Sequence, residues 1–246
     1  MNAANEYTGQ ALKRYNNIQY YFFLKSTNDS LVKENERLYN KLKQDFEIPD
    51  TAKKVIVDTI KVDSLNSFRK YEYLQAKVVG NSVSLPNNYI QVSRGLSQGL
   101  EKDLGVIDVN NNVVGTVIDM SNNYGVIMSM LHKQSTISAK LKKTGETGSI
   151  IWNGEKPNRV ILKDINKSVK LAVGDSVVTS GFTDRFPYGL LIGTIVDFEI
   201  DKITNNYTIN LKTAANFYNL QYVFIIKNTK KEELQDVMKR VKKANE

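Results

Sequence analysis

Between Leu74 and Lys227, apolar residues come in short runs broken by Gly, Asn and Asp. Several runs alternate. Ile137, Ala139 and Leu141 fall on one side of an extended chain, with Ser138, Lys140 and Lys142 on the other. Tyr207, Ile209 and Leu211 do the same against Thr208, Asn210 and Lys212. The pattern predicts strands near 75–83, 89–93, 104–109, 113–120, 125–131, 136–142, 148–152, 159–163, 176–180, 189–199, 206–213 and 221–227. Turns are marked by "NNN" at 110–112, "NNY" at 122–124 and "TNN" at 204–206, where Asn tolerates the left-handed conformation. So many short strands without intervening helices predict a mainly β fold. Two small six-stranded barrels fit better than one barrel of twelve strands, which would enclose a void the chain cannot fill.

Ahead of the strands the period changes. From Tyr7 to Phe46 there is no proline and one glycine. Leu24, Leu31 and Leu38 recur every seven residues, with Asn28, Asn35 and Leu42 four residues after each. Leucine at d with Asn-Asn-Leu at a predicts a two-stranded coiled coil, in which an a-position Asn pairs with its twin and sets register. An amphipathic helix packed on its own domain is the alternative. The expected organisation is a coiled-coil helix over 1–48, ended by Pro49, a linker over 49–74 that contributes at most a strand, a first barrel region over 75–160 and a second over 161–228. Exchange of strands between the barrels stays open. Residues 229–246 read as a basic helix or tail, with Leu234, Val237, Met238 and Val241 on one face.

Charge adds a constraint. Thirty-four Lys and Arg against twenty-six Asp and Glu give +8, which favours acidic partners. The basic residues are scattered, and aromatics are not interleaved with them along the strands, as single-stranded nucleic acid or anionic glycan binding would require. A basic barrel module of that kind is the alternative function. The chain has no cysteine, which excludes disulfides, thiolate metal sites and cysteine nucleophiles. No run of eighteen apolar residues occurs.

The segment Gly174-Asp175-Ser176 has the form found around serine-protease nucleophiles, and Ser180 follows in Thr-Ser-Gly. A nucleophilic serine needs a base, and His132 is the one histidine. After Ser176, however, come Val177 and Val178, where an oxyanion hole would need glycines. Ser176 therefore opens a strand, and Gly174 and Asp175 form the turn before it. His132 reads as a surface histidine. Asp197, Glu199 and Asp201 share one strand face and read as a solvated row opposite buried Val196, Phe198 and Ile200. No cofactor, metal site or enzyme activity is expected.

Taken whole, the block from Gly174 to Ile195 resembles the rod shape-determining MreC family: a Gly-Asp, then Val-x-Thr-Ser-Gly, then Phe-Pro-x-Gly and a further Gly before a strand. The stretch "GVIDVNNNVVGTVIDMSNNYGVIMSML" is similar to that family's hairpin, with Asn112 where a Gly is usual. "TGSIIWNGEKPNRVILKDI" looks like its Bacteroidetes-type form. The resemblance implies two barrels of chymotrypsin-like topology without catalytic residues, with Gly174, Asp175, Gly181, Pro187, Gly189 and Gly193 as structural turn residues. It also implies a scaffold of the bacterial cell-elongation complex that organises and activates peptidoglycan synthesis. The implied partners are the elongation-specific penicillin-binding transpeptidase, MreD and, across the membrane, MreB, with self-association as a dimer or filament and no nucleic acid. Phe182, Phe186 and Tyr188 are the candidate partner-binding aromatics. The expected location is the periplasm, with an inner-membrane anchor upstream of Met1.

Overall fold

The last strand of the chain closes the first barrel. In the computed structural model, which describes residues 24–41, 46–47, 59–62, 65–231, 233, 236 and 240, helix α1 spans 24–39. Strands β1 (Phe46–Glu47), β2 (Thr59–Val62) and β3 (Leu65–Arg69) form a small antiparallel sheet in the order β1-β3-β2. The expected helix to Pro49 is thus corrected: α1 ends ten residues short of it, and the linker supplies strands. Leu42 lies outside the described residues.

The first barrel contains β4 (Tyr71–Asn81), β5 (Asn87–Val92), β6 (Gly105–Asp108), β7 (Val113–Met120), β8 (Gly125–His132) and β15 (Tyr222–Asn228), closed in the order β15-β4-β5-β8-β7-β6. The second contains β9 (Ile137–Leu141), β10 (Thr147–Ile151), β11 (Arg159–Asn166), β12 (Ser176–Thr179), β13 (Leu191–Ile200) and β14 (Asn206–Thr213), closed as β10-β11-β14-β13-β12-β9. All named pairings are antiparallel, and closure leaves neither barrel an open edge. The fold is the one expected, but the boundary at 160 is corrected. β9 and β10 belong to the second barrel, and β15 returns to the first, pairing with both β4 and β6.

The return of β15 has a physical reason. Val223, Phe224, Ile225 and Ile226 are all buried, so this strand needs cover on both faces. One face completes the barrel core. On the other, the Phe224 ring meets Tyr39 of α1 edge-on at 5.1 Å. The barrels also touch each other: Asn112 bridges to Leu191, and the Asn228 amide donates to the Asp184 carbonyl at 3.4 Å. Beyond β15, positions 231, 233, 236 and 240 are helical, and the Lys231 ammonium donates to the Lys102 carbonyl at 2.6 Å. Leu234, Val237, Met238 and Val241 lie outside the described residues.

Candidate partner-binding surfaces

Each group of the protease-like segment has a structural task. Gly174 takes φ +91° in the turn, and the Asp175 carboxylate accepts from the Ala172 amide at 3.0 Å. Ser176 is the first residue of β12, paired with Thr194 of β13, and its carbonyl accepts from Lys142. The Ser180 hydroxyl shares a 2.8 Å hydrogen bond with Ser138 and accepts from the Phe182 amide at 3.2 Å. His132 sits in the other barrel and, against expectation, is 1% exposed. Its Nδ1 accepts from the Gln134 amide at 3.0 Å, so the neutral ring donates from Nε2 to the Tyr89 hydroxyl, also at 3.0 Å. Burial lowers its pKa below the ordinary histidine value. The sequence favoured the surface because the covering Tyr89 comes from another strand.

The acidic row does not converge. Asp197 and Glu199 are exposed, and Asp197 accepts from the Asn210 amide. Asp201 caps the β13–β14 turn, accepting from the Ile203 and Thr204 amides, which hold its carboxyl below the usual range. Its apolar counterpart is also corrected. A bulge between Ile195 and Asp197 breaks the alternation, leaving Val196 and Phe198 half-buried and Ile200 exposed. No group of three or more metal-ligating side chains occurs among the described residues.

The loop from Gly181 to Gly189 is different: it is held at both ends and exposes two rings. Thr179 Oγ1 donates to the Pro187 carbonyl at 2.6 Å and accepts from the Leu190 amide at 3.0 Å. Ser180 caps the other end through the Phe182 amide. Phe182 and Tyr188 stand 75% and 60% exposed. Phe186 is withdrawn from this surface. At 3% exposure it packs on β6, where a Cβ on Gly105 would lie 2.6 Å from its ring. Beside it Arg185 pairs with Asp103 at 3.3 Å, so the same loop joins the two barrels. Lys140 Nζ, from β9, lies 6.0 Å from the Phe182 ring centroid and 5.6 Å from that of Tyr188. The alternation places Lys140 outward, but its ring neighbours come from forty or more residues away and leave no local signal.

Helix α1 has two faces. Val32 is buried, Tyr39 stacks at a tilt on Tyr73 with centroids 5.4 Å apart, and Asn40 just beyond it brackets the Tyr73 backbone. Glu36 accepts from the Gln75 amide at 3.1 Å, and Asp29 accepts from the Tyr222 hydroxyl. The other face carries Leu24, Asn28, Leu31, Asn35 and Leu38, all exposed. The amphipathic reading therefore holds for one face, which packs on its own barrel, while the heptad residues stand exposed, with Asn28 at the edge of the cleft between the helix and the first barrel. No helix among the described residues is long and apolar enough to cross a membrane.

Residues 78–227 match the family model described as rod shape-determining protein MreC, barrel core. A cell shape-determining protein MreC of Listeria monocytogenes is 26% identical over 203 residues, covering 80% of this chain and 68% of that one. The Bacillus subtilis protein of the same name is 26% identical over 212 residues, covering 79% and 71%. Among solved structures, the Listeria monocytogenes MreC superposes with a TM-score of 0.60 at 25% identity, covering 86% of this chain and 92% of that one. The fold is also that of MreC in a complex with penicillin-binding protein PBP2 from Helicobacter pylori, with a TM-score of 0.54, 20% identity and coverage of 65% and 99%.

Proposed function

Since this chain belongs to the rod shape-determining MreC family, we propose that it is a non-enzymatic scaffold that organises peptidoglycan synthesis in the bacterial cell-elongation complex. The relatives are named for determining cell shape, and one fold neighbour was solved bound to a penicillin-binding protein. By that analogy the partner here is the elongation-specific transpeptidase. Its contact is the second-barrel loop that displays Phe182 and Tyr188. The observation that carries this reading is the combination of two exposed rings with a backbone pinned by Thr179 and Ser180. A preorganised loop loses little freedom on binding, and aromatic anchors supply contact area at low entropic cost.

The chain works in the periplasm, carried by an anchor in the inner membrane, and connects to MreD and through the membrane to MreB. It self-associates along the exposed heptad face of α1, whose other face fixes the first barrel to the pair. The test is a binding titration with the periplasmic region of the same organism's elongation transpeptidase. Phe182→Asp or Tyr188→Asp should weaken binding at least tenfold with an unchanged melting temperature. Full binding by both folded variants would move the contact elsewhere.

A further inference from the structure

We infer that the Phe182–Lys140–Tyr188 cluster is a receptor for a carboxylate adjoining an aliphatic side chain, supplied by the bound partner; this rests on the partner-binding reading of the loop and names its chemistry. The cations near this loop differ in how they are satisfied. Arg185, in the loop itself, is paired with Asp103 at 3.3 Å. Lys140 is half-buried; among the described residues its ammonium takes part in no ion pair or hydrogen bond, and it lies near the two rings and beside Gly145. The ring faces hold the ammonium electrostatically, but they do not neutralise it.

The placement is built. β9 sets the Lys140 backbone between Thr147 of β10 and Val178 of β12. Thr179, the last residue of β12, and Ser180 just after it then carry the hydrogen bonds that fix the ends of the aromatic loop. The Lys140 backbone and both ends of the aromatic loop are thus tied to the same barrel wall. A carboxylate arriving here meets a single positive charge flanked by apolar surface, where water is displaced and attraction is stronger than in bulk solvent. An aliphatic neighbour of that carboxylate covers the exposed ring faces. An uncharged or basic segment leaves Lys140 uncompensated, so the cluster discriminates by sign as well as by shape.

The experiment has two arms. In the first, the chain is titrated by NMR with N-acetyl-leucine and, separately, with uncharged N-acetyl-leucinamide. The carboxylate probe should shift the Lys140 side-chain and the Phe182 and Tyr188 ring resonances. The amide should shift them at least fivefold less, and Lys140→Met should abolish the difference. Equal shifts from both probes, or none, overturn the inference. In the second arm, Lys140→Met and Lys140→Glu are compared with Lys140→Arg for transpeptidase binding. Met should weaken it about tenfold, Glu more, and Arg should retain it. Wild-type affinity in Met and Glu, with Phe182→Asp still defective, overturns the carboxylate while leaving the loop as the contact. A wild-type chain that takes the carboxylate probe but binds no transpeptidase refutes the choice of partner and supports the receptor.

Discussion

The Tyr222 hydroxyl donates a hydrogen bond to the Asp29 carboxylate, joining the start of the final barrel strand to a helix 193 residues earlier in the chain. That hydrogen bond first, then burial and the Asp29 charge, push the Tyr222 pKa up to about 12. A phenol whose folded pKa is raised contributes stability that is present below the unfolded value, about 10, and lost as pH rises through the folded one. The docking of α1 should therefore weaken between pH 10 and about 12. Helix-specific hydrogen exchange or tyrosine absorbance follows it. Tyr222→Phe should loosen the helix at neutral pH and remove this step.

His132 gives the opposite sign. Its pKa is lowered because the ring is buried, so the folded chain binds its proton less readily than the unfolded chain. Stability is complete above the unfolded value, near 6.5, and falls as pH drops through the folded one. Protonation also turns Nδ1 into a donor facing the Gln134 amide. Below about pH 6.5, melting temperature should fall more steeply with falling pH in the wild type than in His132→Gln.

Phe186 couples the barrels. Phe186→Ala empties the site beside Gly105 and should cost about 3–5 kcal/mol, the usual range for a buried Phe. The Arg185–Asp103 pair is exposed, and Arg185→Ala should cost under about 1 kcal/mol. Chemical denaturation compares them. Equal, small losses would mean that the barrels are held together elsewhere.

Gly189 and Gly193 should fail differently when substituted. Gly189 has φ +96° with open space where a Cβ would go, so backbone strain alone acts. Gly189→Val should cost about 1–3 kcal/mol, and Gly189→Asn less, because Asn visits that region more readily. At Gly193 a Cβ would lie 2.3 Å from the Lys212 carbonyl, inside the β13–β14 pairing. There Ala, Asn and Val should all be costly. Thermal melts of the paired substitutions separate the two mechanisms.

The two faces of α1 separate association from folding. Leu31 is 59% exposed and Val32 is 4% exposed. Leu31→Asp should abolish concentration-dependent association in analytical ultracentrifugation while leaving the barrel melt unchanged. Val32→Asp should release the helix from β4 and β15. Asn35→Leu should strengthen association and relax its stoichiometry. A strict monomer at high concentration would remove the pairing role of the heptad face.

Short apolar runs divided by Gly, Asn and Asp, some of them alternating, by themselves determined the twelve barrel strands, because both signals are local properties of the chain. So did the heptad face of α1, since Leu24, Leu31 and Leu38 carry their spacing wherever the helix docks. Barrel membership was not local. β9, β10 and β15 were assigned to their barrels by closure, which pairs segments far apart in sequence, and β15 lies next to β4 because both faces of its apolar run need cover. The docking face of α1 was equally hidden: Asp29, Glu36 and Tyr39 look like ordinary helix residues until Tyr222, Gln75 and Tyr73 arrive. The same holds for the candidate site. Phe182, Phe186 and Tyr188 stood out as aromatics near one proline, yet only β6 of the neighbouring barrel decided that Phe186 is buried, and only β9 of their own barrel brought Lys140 beside the other two. A side chain's chemistry is written at its own position, but its exposure and its partners depend on what the rest of the chain brings against it.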